Sequence, residues 1–293
     1  MAKVLGIGNA TLDIIHVVDR CPNENEEIRC RQRIIRRGGN ATNTLVVLSQ
    51  LGIACSWAGV LVNNPDGEII LEDLHRHGID TGPCRRVDSG SVPVSSVLIS
   101  RDTGSRSITH YRDLPEYSFE DFESIALQSF EWLHFEGRNV AETRRMLESL
   151  PAGPGSATCS LEIEKPREGI EALFSYADIL LFSREYGLAM GFAEPLSLLS
   201  AVRERCPHAE LFCTWGDAGA AAIDSRGHVC EKAAYAPATV IDTLGAGDTF
   251  NAAVISGYLE GLDIEATLAR ACRLAGEKCG QYGFEGLGRT RAP

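Results

Sequence analysis

The 293-residue sequence is short of basic residues, because 28 lysines and arginines stand against 40 aspartates and glutamates. Its formal net charge is −12. We do not expect so acidic a chain to bind nucleic acid or anionic membranes through its overall field. The same field would repel a nucleotide at long range, so a nucleotide site would need oriented amides, a few arginines and Mg²⁺ close by.

The sequence also lacks a closely spaced cysteine pair, a long apolar run and an export signal. Its ten cysteines are scattered with no C-x-x-C pair, which favours reduced thiols in a cytoplasmic protein over disulfides. The longest uncharged run, residues 38–65, is interrupted by polar side chains and does not predict a membrane span. Residues 1–18 contain Asp13 and no small-residue cleavage site, so they predict a first strand.

The second half of the chain alternates between extended and helical patterns. The length admits two average domains, but one large α/β domain fits equally well. Strands are predicted at residues 132–136, 158–163, 179–183 and 210–214. This alternation predicts a mostly parallel sheet with helices on both faces, with ligands bound at the carboxyl ends of the strands.

Four extended runs in the first half predict a second, smaller sheet. They lie at residues 12–18, 28–35, 92–100 and 106–111, and residues 101–105 join the last two as a hairpin. Because a two-stranded ribbon is marginal alone, we expect all four to pair. Five arginines fall between residues 29 and 37. They indicate either a charged edge strand that discourages aggregation or a subunit contact or rim for an anionic substrate.

Residues 241–251 predict a tight loop that leads into a helix. Gly245 and Gly247 flank Ala246, and these small residues leave the first amide N–H groups open to an anion, for which phosphate is the best fit. Asp248 would lie in the first turn. Since a phosphate would repel it, we interpret it as a general base that acts on the group attacking the phosphate. Alternatively, Asp248 is an ordinary helix-start aspartate and the glycines only form a turn.

A second pair of glycines precedes a helix at residues 38–51. Asn40 and Asn43 lie three residues apart and so share one face of the first turn, where paired amides suit hydroxyl recognition. Alternatively, Asn40 caps the helix and Asn43 is a surface residue. Asp13 lies within an apolar strand, and its local pattern favours the solvent face of an edge strand over a polar pocket.

Two further glycine patterns lie near predicted strands. The loop from Trp215 to Gly219 follows a predicted strand and is either a second nucleotide loop or a simple turn. Gly6 and Gly8 suggest a dinucleotide fingerprint, but the third glycine position is Thr11 and no helix opens there, so we reject it.

Taken together, these motifs resemble those of the ribokinase-like (PfkB) carbohydrate kinases. The stretch Asp242-Thr243-x-Gly245-Ala246-Gly247-Asp248 is highly specific, and Gly-Gly-Asn is moderately so. The similarity covers nearly the whole chain and includes Glu136-Gly137-Arg138-Asn139 and Glu164-Lys165-Pro166-Arg167-Glu168. It implies an α/β fold, a ribokinase-like three-layer sandwich spanning residues 1–293 as one kinase domain. A small β-sheet lid would come from about residues 12–37 and 91–112.

The resemblance also implies residue roles. Asp248 would be the catalytic base, and Gly245, Ala246 and Gly247 would form the anion hole. The sugar hydroxyls would be held by Asp13, Gly39, Asn40 and Asn43. ATP would be bordered by Gly216, Asp217, Ala218 and Gly219, with Arg106 against its phosphates. For Asp13 this reverses the prediction from local pattern.

The activity implied is ATP-dependent phosphorylation of a ketohexose, D-fructose to fructose 1-phosphate. ATP and Mg²⁺ would be required, a K⁺ requirement stays open, and a homodimer would form through the lid strands. Alternatives are a kinase for ribose, a nucleoside or another sugar, and a non-catalytic sugar or nucleotide sensor on the same fold. Many relatives carry an Asn-x-x-Glu motif that organises Mg²⁺-bound water. This chain has Ser183-Arg184-Glu185-Tyr186 at that place, so no protein ligand is assigned to the metal.

Overall fold

Fourteen strands and eight α-helices make up the computed structural model, which describes residues 3–288 apart from residues 104, 152 and 154. The strands are β1 (Lys3–Ile7), β2 (Thr11–Val18), β3 (Gln32–Gly38), β4 (Ala54–Ala58), β5 (Val60–Val62), β6 (Arg85–Val87), β7 (Val94–Ser100), β8 (Arg106–Tyr111), β9 (Trp132–Glu136), β10 (Thr158–Ile163), β11 (Ile179–Phe182), β12 (Glu210–Thr214), β13 (Ala220–Ile223) and β14 (Val229–Lys232). The helices are α1 (Asn40–Gln50), α2 (Pro65–Arg76), α3 (Phe119–Phe122), α4 (Val140–Glu148), α5 (Arg184–Ala189), α6 (Pro195–Arg205), α7 (Ala246–Leu259) and α8 (Ile264–Cys279).

The larger sheet has eight strands in the order β14-β13-β12-β11-β10-β9-β1-β4. Six adjacent strands of this sheet are parallel, namely β4, β1, β9, β10, β11 and β12. Strands β13 and β14 add an antiparallel edge. All residues of β9 and β11 are buried, as expected for parallel strands with helices on both faces. The α/β fold with a mostly parallel sheet is therefore confirmed. Within the described part of the chain, no helix is long and apolar enough to cross a membrane.

Three helices cover one part of this sheet and carry much of the site. Helix α7 packs between α1 and α8, α1 contacts β1 and β4, and α8 contacts β13 and β14. The residues of α7 from Asp248 to Gly257 are all buried. Because α7 is enclosed by its neighbours, its first turn is held in place beside the ends of the strands.

The smaller sheet has four strands in the order β3-β2-β7-β8. The predicted second sheet is therefore confirmed, but the predicted strand at residues 28–35 is wrong in its bounds. The strand observed is Gln32–Gly38, because its pairing with β2 runs from Val17 opposite Gln32 to Thr11 opposite Gly38. Gly104 of the predicted hairpin turn lies outside the described residues.

A break at Gly59 separates β4 from β5, although residues 53–62 read as one continuous apolar strand in the sequence. A Cβ atom on Gly59 would lie 2.2 Å from the Trp57 ring and 2.5 Å from the Gly8 carbonyl oxygen. Glycine therefore permits a close approach that sends the chain out of the large sheet. Beyond the break, β5 pairs with β6 in a separate parallel ribbon.

Candidate active site

A cavity of about 420 Å³ lies between the carboxyl ends of the large-sheet strands and the small sheet. This volume is within the usual range for a small-molecule site. Its walls include Asp13 from β2, Arg106 from β8, Asn40 from α1, Thr214 from β12 and Asp248 from α7. The structure thus brings together residues that are far apart in the sequence.

The first turn of α7 opens into this cavity. Gly245 caps the helix with φ of 84°, and the amide of Thr249 makes the first helical hydrogen bond, to the Gly245 carbonyl oxygen at 2.9 Å. The amides of Gly247 and Asp248 precede that bond, so the helix leaves them free for a ligand. Gly245 and Gly247 line the cavity, whereas Ala246 is not part of its wall.

Asp248 is buried at the mouth of the helix, with 6% of its surface exposed. Its Oδ2 atom accepts a hydrogen bond from Asn43 Nδ2 at 2.7 Å. Burial raises the pKa of Asp248 to about 8, the Asn43 bond and Arg37 act against this rise, and the charges of Glu164 and Glu136 add to it. A carboxylate in such surroundings is a stronger base than one in water.

The two asparagines of α1 both reach the cavity wall. The helix cap is Gly39, with φ of 105°, and a Cβ atom there would lie 2.2 Å from the Asn9 carbonyl oxygen. Asn40 therefore does not cap the helix, and its Nδ2 atom donates to Glu162 Oε1 at 3.2 Å. Asn43 is 6% exposed and so is not a surface residue.

Asp13 also lies in the cavity wall, with 7% of its surface exposed. Burial raises its pKa, while a hydrogen bond from Thr11 Oγ1 at 3.0 Å and the nearby charge of Arg36 oppose that rise. The prediction of a solvent-facing side chain from local pattern is wrong. The reason is that β2 is an inner strand of the small sheet and not an edge strand.

Sequence reasoning assigned no role to Glu136, Glu162 and Glu164, which also line the cavity. Glu162 Oε1 accepts from Asn40 and, at 3.1 Å, from Asn251 Nδ2, whereas Glu162 Oε2 is buried with no hydrogen-bond partner among the described residues. Burial and then the charge of Asp248 raise the pKa of Glu162 well above its usual value. The sequence did contain a signal for two of them, because Glu136 and Glu162 lie near the carboxyl ends of predicted parallel strands, where ligands bind.

Several basic side chains also line this cavity. Its walls include Arg106, Arg138, Lys165 and Arg167, and Arg106 Nη1 donates to Thr243 Oγ1 at 3.2 Å. These side chains supply the local compensation that an acidic protein needs to hold an anion. Lys165 and Arg167 belong to a stretch that resembles the family, but no local pattern in the sequence places them in this cavity.

The predicted nucleotide loop, residues 216–219, does not form part of the cavity wall. It begins two residues after Thr214, which does line the cavity. Residues Gly216–Ala218 form a 3₁₀ turn, and a Cβ atom on Gly219 would lie 2.0 Å from the Lys232 carbonyl oxygen. The role of Gly216, Asp217, Ala218 and Gly219 stays a prediction.

Of the residues that replace the Asn-x-x-Glu motif, only Ser183 lines the cavity. Ser183 Oγ caps α5 by accepting from the Tyr186 amide at 3.0 Å, and Glu185 is exposed outside the cavity wall. Among the described residues, no group of three or more His, Cys, Asp or Glu side chains could hold a metal ion.

A buried ion cluster fixes the loop before α7, and sequence reasoning missed it. Lys278 of α8 is fully buried, and its Nζ atom donates to the Asp242 carbonyl oxygen at 2.8 Å and lies 3.2 Å from Asp242 Oδ2. Arg36 of β3 donates to the same carboxylate at 3.2 Å. Burial alone would raise the pKa of Asp242, but Lys278 and Arg36 outweigh it and lower the pKa.

Comparisons with known proteins agree with this geometry. The sequence profile of the pfkB family carbohydrate kinases matches residues 1–286. The chain is 37% identical to mouse (Mus musculus) ketohexokinase over 97% of this chain and 98% of that protein. It is 26% identical to Bacillus subtilis ribokinase over 99% and 97% of the two chains.

Solved structures show the same fold. Ribokinase from Giardia lamblia superposes with a TM-score of 0.82 at 16% identity, covering 97% of this chain and 96% of that one. Arabidopsis thaliana ribokinase, complexed with ribose and ATP, superposes with a TM-score of 0.77 at 22% identity, covering 97% and 94%.

Proposed function

Because the chain belongs to the pfkB family of carbohydrate kinases, we propose that it transfers the γ-phosphoryl group of ATP to D-fructose and forms fructose 1-phosphate. That it is an ATP-dependent sugar kinase follows from the family and from the similarity to ketohexokinase. Fructose as the acceptor is the finer step. It is supported by 37% identity to mouse ketohexokinase, against 26% to a ribokinase of similar coverage.

The observation that carries the proposal is the position of Asp248. Its carboxylate lies at the amino end of α7, bonds to Asn43 at 2.7 Å, and shares a cavity with Asp13 and Arg106. A base, a helix N-terminus and polar groups for hydroxyls within one cavity are what phosphoryl transfer to an alcohol requires. The positive end of the helix dipole would also stabilise negative charge on the transferring group.

In the proposed reaction, Asp13, Gly39, Asn40 and Asn43 hold the ketose so that its 1-hydroxyl faces the γ-phosphate. Asp248 takes the hydroxyl proton as the new oxygen–phosphorus bond forms and the bond to ADP breaks. The loop of Gly245, Ala246 and Gly247 serves as the anion hole, in which the free amides of Gly247 and Asp248 neutralise the developing charge, and Arg106 and residues 216–219 hold the nucleotide. When bound together with ATP, Mg²⁺ would shield the phosphate charge.

We propose that residues 1–293 act as one kinase domain in which the small sheet serves as the lid. Arg36 and Arg106, both on strands of this sheet, contact Asp242 and Thr243 in the loop before α7. These contacts support closure of the sheet over the site. Closure would exclude water, to which the γ-phosphoryl group would otherwise be lost.

A coupled assay for ADP tests the proposed substrate. D-fructose should give the highest kcat/KM in a panel with ribose, other sugars and nucleosides, and NMR of the product should show the phosphate on carbon 1. A higher kcat/KM for ribose or a nucleoside would assign another substrate within the family. Absence of ADP release with every sugar would favour a sensor on the kinase fold.

Replacing the proposed base tests the mechanism. The variant Asp248→Asn keeps the shape of the side chain and an oxygen that can accept from Asn43, but it cannot take a proton. We expect turnover to fall by roughly 10²–10⁴ while ATP binding, measured by calorimetry, is retained. Turnover close to that of the parent enzyme would remove Asp248 from this role.

A further inference from the structure

Arg37 is buried at the end of β3, with 4% of its surface exposed. Its Nε atom donates to Asp73 Oδ2 at 2.7 Å. Its Nη1 atom donates to Thr42 Oγ1 at 2.9 Å and to Asn43 Oδ1 at 2.8 Å. Burying a guanidinium group costs folding free energy unless the group is paired and hydrogen-bonded. These contacts offset that cost, but they do not explain why an arginine is buried at this position.

The contact with Asn43 determines which way its amide faces. The oxygen and nitrogen ends of an asparagine amide are similar in shape, and their partners decide the orientation. An arginine can only donate hydrogen bonds, so Asn43 must turn its oxygen toward Arg37. Its Nδ2 atom then faces Asp248 Oδ2, to which it donates at 2.7 Å. Asp73, Arg37, Asn43 and Asp248 therefore form one continuous chain of hydrogen bonds.

We propose that Arg37, held by Asp73, is a positioning residue that fixes the Asn43 amide and thereby holds the Asp248 carboxylate in place to receive the proton of the sugar hydroxyl. This inference rests on the proposed function only in naming Asp248 as the base. The contacts on which it depends come from three elements: Asp73 on α2, Asn43 on α1 and Arg37 on β3. Rotation of any one of these side chains would break the chain of bonds.

Arg37 also contributes charge at a site crowded with carboxylates. Glu136, near the end of β9, and Glu162 and Glu164, near the end of β10, face Asp248. Arg37 is the cation that acts against them, and it lowers the pKa of both Asp248 and Asp13. Loss of this charge should therefore move the ionisation of Asp248 to higher pH.

The test compares the variants Arg37→Met, Arg37→Lys and Asp73→Asn with the parent enzyme. We expect Arg37→Met to lower kcat by roughly tenfold to a hundredfold, because the base is misplaced. The midpoint of the pH dependence of kcat/KM for fructose should rise by roughly half a pH unit or more. Arg37→Lys keeps the positive charge but lacks the fork of donors. Its pH midpoint should lie close to that of the parent enzyme, whereas its kcat should remain clearly lower.

A second measurement does not depend on turnover. In protein labelled with ¹³C at the aspartate carboxyl groups, the NMR signal missing from Asp248→Asn belongs to Asp248. Its titration midpoint should lie at higher pH in Arg37→Met than in the parent protein. This readout separates the inference from the proposed substrate, because it applies even if no sugar is phosphorylated. In Asp73→Asn, which keeps the charge of Arg37 but loosens its side chain, kcat should fall while the titration midpoint of Asp248 does not rise.

Matched controls use residues of the same type on the same elements. Arg33 is exposed on β3 and Glu72 is exposed on α2, so Arg33→Met and Glu72→Gln should leave both midpoints unchanged. Circular dichroism establishes that each variant folds. If Arg37→Met does not fold, Asp73→Asn decides through kcat, since Asp73 lies near the surface, and a kcat equal to that of the parent enzyme would overturn the proposal. A midpoint of folded Arg37→Met that coincides with the parent value, or that moves equally in the controls, would also overturn it.

Discussion

Asp248 is the residue at which stability and function oppose each other. Burial raises its pKa to about 8, from 3.8 in the unfolded chain. A group whose pKa is higher in the folded state contributes stability that is fully present below the unfolded pKa and is lost as the pH rises through the folded value. Ionisation of Asp248 therefore lowers the free energy of unfolding over the pH range in which a kinase needs a base.

Removing this carboxyl group should relieve the penalty. In urea unfolding at pH 5, 6.5 and 8, Asp248→Asn should gain stability over the parent protein by roughly 1 kcal/mol for each pH unit. The exposed control Glu72→Gln should give a curve parallel to that of the parent. A constant difference between Asp248→Asn and the parent across this range would contradict a raised pKa at this position.

Two glycines at the start of α7 differ in why glycine is needed. At Gly245, φ is 84° and a Cβ atom would lie 2.4 Å from the Phe284 ring. At Gly247, a Cβ atom would meet nothing within 4 Å. Gly245 therefore serves the fold, whereas the space beside Gly247 opens toward the cavity.

Alanine at these two positions should separate stability from activity. Gly245→Ala should lower the free energy of unfolding by roughly 1–3 kcal/mol, because of its strained φ and the clash with Phe284. Gly247→Ala should leave stability unchanged or slightly raised but lower turnover by roughly tenfold or more, because its methyl group would occupy the space proposed for phosphate. Thermal unfolding and the ADP assay measure the two effects. Normal turnover in Gly247→Ala would count against an anion site there.

At the level of elements, periodicity predicted most strands and the helices α1 and α7 within a few residues. The parallel strands from β9 to β12 were found because they are continuous apolar runs bounded by turns. The misplaced start of β3 and the break at Gly59 could not be found in this way. Both depend on a partner elsewhere in the chain, the register against Thr11 in one case and the Gly8 carbonyl in the other.

The β7–β8 hairpin brings one arginine into the site and leaves another outside it. Arg106 lines the cavity and contacts Thr243, whereas Arg101 is exposed at the turn beside Asp19. If Arg106 binds the nucleotide phosphates, Arg106→Ala should raise the KM for ATP by roughly tenfold to a hundredfold. Arg101→Ala, a change of the same type in the same hairpin, should not. Equal KM values for the parent and both variants would exclude this contact.

At the scale of the whole molecule, the sequence predicted the principal side chains of the candidate site but not its electrostatics. Asp248, Asn40 and Asn43 were found because their motifs are local. The pairings of Asp242 with Lys278 and Arg36 were not, because the partners lie 36 and 206 residues away. Such contacts exist only after the sheets and helices have packed, so no local pattern encodes them.

The small sheet offers a surface for the dimer that the family resemblance implies. Its outer strands β3 and β8 expose Ile35 and Tyr111, of which 38% and 57% are accessible. Light scattering after gel filtration should give about 63 kDa, twice the chain mass of 31.7 kDa. Ile35→Glu should shift the mass toward the monomer because it places a charge in an apolar contact. Ile69→Glu, equally exposed on α2, should not. A monomeric parent protein would refute the prediction.

The buried amine of Lys278 has a consequence for how the protein is made. It lies in α8, yet it anchors the backbone and carboxylate of Asp242, while Asn9, which follows β1, forms part of the cavity wall. A chain growing on the ribosome therefore cannot assemble its site before α8 has emerged. We expect truncated translation products that end before α8 to consume no ATP in the ADP assay.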